Sequence, residues 1–223
     1  MATHQNNLLQ RRNCTLTTET EFEGKSINTN ENKGQSCIEE VLTPIHAHLT
    51  DMIEKHSQVM ITRFDLRTPS GAADLNNKQV GRIFENMERA LNRKEYAGEH
   101  KPDPRLIGVA EDQGNGTHYH CVAMVNRNAI QHPHTIHKTA EKYLRKALDI
   151  PQKEAEGLVD YCNQKGENGI TIRRGSADEE KKTNQAMHQV SYLAKERGKE
   201  NIPRGQHLWI GTRVPKKTNK NNL

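Results

Sequence analysis

Aromatic side chains make up only 4% of these 223 residues, and the apolar residues together reach 32%. With a mean hydropathy of −0.96, some of the chain cannot bury enough surface to offset its conformational entropy. That part is expected at residues 1–36, rich in Asn, Thr, Gln and Glu. No apolar run approaches the length of a membrane span, and the start lacks an apolar signal core, so a soluble cytoplasmic protein is expected. The cysteines Cys14, Cys37, Cys121 and Cys162 are scattered with no Cys-x-x-Cys. Their spacing argues against a zinc knuckle or a disulfide framework and suits a reducing cytosol. A phosphate loop is missing too, because "GKS" at Gly24 to Ser26 has Glu19 where the upstream glycine would stand. No internal repeat occurs.

What is present points to a polyanionic partner. The net charge is +5 and the isoelectric point is near 9.0, and the end "RVPKKTNKNNL" adds local positive charge. One domain over residues 37–215 is expected, between the N-terminal tail and a basic tail at 216–223. Apolar spacing predicts helices at 38–56, 76–95, 134–148 and 178–199 and strands at 58–66, 105–112 and 117–126. A second hairpin is expected through "GLVDYC" and "GITIRR", and "HLWIGTR" reads as a closing strand. The pattern gives an α+β fold: a mainly antiparallel sheet of about five strands with helices on one face.

Three His-x-His pairs occur, "HAH" at His46, "HYH" at His118 and "HPH" at His132, where 12 histidines make about one such pair expected by chance. Side chains two apart point the same way on a strand but not on a helix. "HAH" has helical surroundings and "HPH" contains a proline, so only His118 and His120, in "HYHCVAMVN", can chelate. If Gln113 to Gly116 form the hairpin loop, Glu111 faces His118, and one carboxylate joins two imidazoles on one sheet face. The same residues also fit plain surface histidines beside a solvated glutamate. In "AMHQVSYLAKERGK" a continuous helix places Ala186, Met187, Val190, Leu193 and Ala194 on one side. His188, Tyr192, Lys195 and Lys199 fall on the other. A tyrosine among cations departs from packing practice, since lysines favour its phenolate and can bind phosphate; a solvated basic face is the plainer alternative.

Taken in order, "MITRFDL", "HYHCVAMVN" and "SYLAK" resemble the three motifs of HUH endonucleases of the rolling-circle replication-initiator type. The closer resemblance, from about Ile38 to Arg213, is to the inovirus-type replication protein family, which includes the YagK/YfjJ C-terminal domain of cryptic prophages. It also takes in the Glu of "AEDQGNG" and the element "WIGTR". The resemblance implies an HUH/RRM-like architecture, with His118 and His120 as metal ligands, Tyr192 as nucleophile and Lys195 as its helper. Glu111 is the expected third ligand, and Arg63, Arg67, Lys199 and Arg213 are expected to contact DNA. A 2-His-1-carboxylate set facing an oxygen-rich substrate fits Mg²⁺ or Mn²⁺ better than Zn²⁺. The implied activity is nicking and joining of single-stranded or hairpin origin DNA through a 5′-phosphotyrosine, with a host helicase and polymerase as partners. A zinc hydrolase of the His-x-His-x-Asp-His type is excluded, because neither Asp nor His follows in "HYHCVAM". A non-catalytic DNA-binding regulator derived from such an initiator is the alternative. The helix of Tyr192 carries no second tyrosine, which argues against a two-tyrosine strand-exchange cycle within one chain.

Overall fold

The computed structural model describes residues 13–30, 33, 35–93, 99–112, 116–162, 169–202 and 205–214. Residues 1–12 of the expected N-terminal tail and the expected basic tail at 216–223 lie outside the described residues.

The centre is strand β5 (Gln58–Leu66), buried along nearly its whole length. It pairs antiparallel with β7 (Thr117–Asn126), which pairs antiparallel with β6 (Arg105–Asp112). Beyond β6 lies β10 (Trp209–Gly211), and the other edge of β5 takes both β8 (Val159–Asp160) and β9 (Ile170–Arg173). The sheet is thus six-stranded and antiparallel. Gly211 is required at its edge: a Cβ there would stand 2.2 Å from the carbonyl oxygen of Leu106. The expected hairpin of "GLVDYC" with "GITIRR" does not form, since β8 and β9 each pair with β5, at Asp65–Leu66 and at Gln58–Ile61.

Helices cover both faces, not one. On the first face lie α1 (Glu39–Lys55) and α5 (Glu179–Val190); on the second lie α2 (Asn77–Leu91) and α3 (Pro133–Leu148). A one-turn helix, α4 (Gln152–Ala155), follows α3. The reason is in the strands. β5 and β7 are buried at nearly every position instead of alternating between buried and exposed, so each has cover on both sides. Each helix presents an i, i+3, i+4 stripe, such as Val41, Leu42, Ile45, Leu49 and Met52 of α1. Helix α2 starts at a capping box in which Asn76 and Gln79 bond each other's backbone N–H. Among the described residues no helix is long and apolar enough to cross a membrane.

Two further expectations are corrected. The helix expected over 178–199 ends at Val190, gives one 3₁₀ turn at Ser191–Ala194, and then becomes extended. Ser191 causes the break, because its hydroxyl donates to the His188 carbonyl (2.9 Å) and accepts from the Asn28 N–H (2.8 Å), competing with helical bonding. The segment 1–36, expected to be disordered or weakly structured, joins the domain through its described residues from Asn13 onward. β1 (Leu16–Thr17) pairs with β4 (Cys37–Ile38), and β2 (Glu21–Phe22) forms a hairpin with β3 (Lys25–Ser26). Glu23 and Gly24 take the positive φ values (51° and 70°) that such a tight turn needs. Ile27 then inserts into the first-face core. A few apolar anchors suffice here because the core beneath is already formed by other elements.

Candidate metal centre and tyrosine site

The β6–β7 hairpin has the expected register, with Glu111 opposite His118 and Asp112 opposite Thr117. Strand parity then puts Glu111, His118 and His120 on the first face, beyond the point where α1 and α5 cover it. Their ligand atoms all lie within 4.8 Å of one another. His118 Nε2 is 3.3 Å from His120 Nε2, which is 3.1 Å from Glu111 Oε2.

One residue that sequence reasoning missed orders this cluster. Asp65 of β5 pairs with His120 across the ladder and accepts a 2.8 Å hydrogen bond from His120 Nδ1. That bond fixes the tautomer, because the proton sits on Nδ1 and the Nε2 lone pair faces Glu111 and His118. Three electron-rich atoms then converge on one point, which only a cation or an extra proton can relieve. The residues present therefore fit a divalent metal ion, and Asp65 has the place of a carboxylate that orients a histidine ligand. The titration behaviour agrees. Burial alone would lower the His120 pKa, but its bonds to Asp65 and Glu111 outweigh that and raise it. Burial works to raise the Asp65 carboxyl, and His120 overrides it, leaving it low. His118 is lowered, by burial first and by the neighbouring His120 second. Cys162, its thiol pushed up to about 12 by burial, donates to Asp65 as well, at 3.3 Å.

Tyr192, in the 3₁₀ turn after α5, stands directly beside this cluster. Its half-buried ring lies 5.3 Å from the His120 ring, edge to face. The Arg63 guanidinium of β5 covers it at 4.6 Å, and Lys195 Nζ is 5.4 Å from its centre. Burial and the charge of Glu111 raise the phenol's pKa, against the opposing effect of Arg63. Lys195 is half-buried and its pKa is lowered chiefly by burial. The N-terminal segment holds it: Lys195 Nζ donates to Gln35 Oε1 (2.7 Å), its backbone forms a bridge with Cys37, and Ser36 donates to Glu196.

The residues expected to contact DNA separate. Arg67 is exposed and reaches Asp160 (3.3 Å) and Asp65 (3.8 Å). Arg213 is exposed but remote, since Gly211 pairs with Ile107, four residues and ~13 Å along β6 from Glu111. Lys199 is corrected: it is fully buried, with Nζ 3.5 Å from Glu111 Oε2, and cannot serve as a surface phosphate contact. The helix break explains this, because the chain turns back at Gly198 instead of continuing along the basic face. Arg63 is also buried. Parity could have flagged Arg63 and Asp65 as sharing a face, but only the β5–β7 pairing shows which face.

The family model of the YagK/YfjJ C-terminal domain matches residues 17–207. No curated protein and no solved structure matches the chain.

Proposed function

The chain belongs to the YagK/YfjJ C-terminal domain family, and from that premise we propose that it is a metal-dependent endonuclease and strand transferase acting on single-stranded or hairpin origin DNA. Its role would be to initiate rolling-circle replication of a phage- or prophage-type element. The observation that carries this reading is the meeting of Tyr192 with the His118–His120–Glu111 cluster across 5.3 Å.

His118, His120 and Glu111 would hold Mg²⁺ or Mn²⁺. The bound ion supplies polarisation of the scissile phosphate and absorbs charge that develops on it. Tyr192 is a neutral phenol near pH 7, so its proton must leave as its oxygen attacks phosphorus. One bond forms, from Tyr192 Oη to phosphorus, and one breaks, from phosphorus to the 3′-oxygen. The phenolic proton passes to water, and the departing 3′-oxygen takes a proton from water. A 5′-phosphotyrosine and a free 3′-hydroxyl result, and the retained phosphodiester energy permits later rejoining. Lys195, with Nζ 5.4 Å from the ring centre, would offset negative charge as it develops at Tyr192. Arg67 would contact the DNA backbone near the site. Strand separation and synthesis fall to a helicase and a polymerase of the host.

The test is attachment to labelled single-stranded oligonucleotides of randomised sequence, scored as SDS-resistant, metal-dependent adduct. The wild type is expected to form it, and mass spectrometry should find a phosphotyrosyl peptide containing "VSYLAK". Tyr192→Phe should abolish the adduct and leave DNA affinity within about twofold, since affinity rests on phosphate contacts by Lys and Arg. An adduct on another residue, or DNA binding without an adduct under any divalent metal, would favour the non-catalytic regulator.

A further inference from the structure

Arg63 is a buried cation that Asp65 influences at a distance but does not pair with. It lies in the middle of β5, only 8% exposed, on the same face as Asp65 two residues on. Among the described residues it forms no ion pair: the nearby acids are engaged elsewhere, Asp65 with His120 and Arg67, Glu111 with His120 and Lys199. Its Nε–H is buried with no hydrogen-bond partner. Its guanidinium covers the face of Tyr192, 4.6 Å from the ring centre. An arginine cannot shed its proton, and a buried guanidinium with an idle donor is costly unless something completes it. A ring face satisfies part of the charge but accepts no in-plane hydrogen bond. An oxyanion in the guanidinium plane would supply that acceptor.

We propose that Arg63 forms a phosphate-binding position inside the site, donating to a non-bridging oxygen of the phosphodiester that Tyr192 attacks while its flat face holds the tyrosine ring in line. The proposal rests on the nicking reading for its catalytic half; the oxyanion position itself does not. During attack the monoanionic diester gains charge on its non-bridging oxygens. Arg63 meets one of them. Arginine suits this place better than lysine because its planar fork can stack and donate at once.

Two measurements on the full chain test it. In the first, single-turnover adduct formation is timed on an oligonucleotide carrying an Rp or an Sp phosphorothioate at the cleaved position. One diastereomer is expected to react slowly whatever divalent metal is present. Arg63→Met should lower the rate on normal DNA about 10²-fold, as loss of an oxyanion donor does, and should erase that diastereomer's disadvantage. Arg63→Lys should recover part of the rate. Wild-type speed in Arg63→Met, or a slow variant that keeps both sulfur effects, overturns the proposal. In the second, the Arg63 Nε–H resonance is followed while inorganic phosphate is added to ¹⁵N-labelled protein. A saturable shift, absent in Arg63→Lys, is expected, and an unmoved signal overturns the proposal. A shift in a protein that forms no adduct on any oligonucleotide would sustain the oxyanion position and sink the nicking reading; an adduct formed equally well without Arg63 would do the reverse.

Discussion

At the scale of single residues, the proposed function turns on where protons sit around His120. Its Nδ1 proton is committed to Asp65, and Asp65→Asn removes the charge that holds it there. That variant is expected to bind Mn²⁺ about 10- to 100-fold more weakly by calorimetry, with the fold unchanged. His118→Ala and His120→Ala should lose metal binding and adduct together while Tyr192 stays in place. Protons compete with the metal for His120. Because its pKa is raised above the ordinary 6.5, the affinity for metal should start to fall at a higher pH than a free imidazole would dictate. Calorimetric titrations between about pH 5.5 and 8 check this, and Asp65→Asn should move the fall to lower pH. Period-two parity and one loop length were enough to bring Glu111, His118 and His120 together from the sequence. Asp65 was not legible, because nothing local in "MITRFDL" reveals that its strand pairs with "HYHCVAMVN".

At the scale of elements, strands were easier to read than what they pair with. The bounds of β5, β6 and β7 match the apolar runs, whereas the end of α5 and the use of residues 13–38 depend on contacts between distant parts of the chain. Ser191 stops α5 because Asn28 is there to bond it, and Asn28 is there because β1 to β4 pack against that end. Helical periodicity carries no trace of such a partner. The same contacts predict that the N-terminal segment is part of the working site. Deleting residues 13–36 takes Ile27 out of the first-face core, uncovers Cys37 and releases Lys195 from Gln35. The melting temperature is expected to drop, by roughly 2–4 °C per kcal/mol lost. Gln35→Ala is the milder test. It should leave melting nearly unchanged and slow adduct formation several-fold, with DNA affinity intact, because it loosens only the lysine beside Tyr192.

At the scale of the whole molecule, the sheet buries histidines that must stay neutral. His137 of α3 is fully buried on the second face, 3.0 Å from the Thr62 hydroxyl and stacked on Tyr161 at 4.3 Å, and burial lowers its pKa to about 4. Its folded pKa lies below its unfolded one, so this contribution to stability is whole above about pH 6.5 and shrinks as pH falls from there toward 4, by up to roughly 3 kcal/mol. Urea unfolding across that range, with chelator present, should show a steeper acid loss in the wild type than in His137→Gln. The pinned turn around Tyr192 bears on the reaction cycle as a whole. Ser191 is fastened to Asn28 on one side and Lys195 to Gln35 and Cys37 on the other. A DNA end joined to such a tyrosine is parked and has no slack, so it cannot be carried to a distant acceptor. In the proposed cycle the closing strand would have to thread its own 3′-hydroxyl back into the same berth, and the protein would act as a fixed dock around which the replicating circle turns.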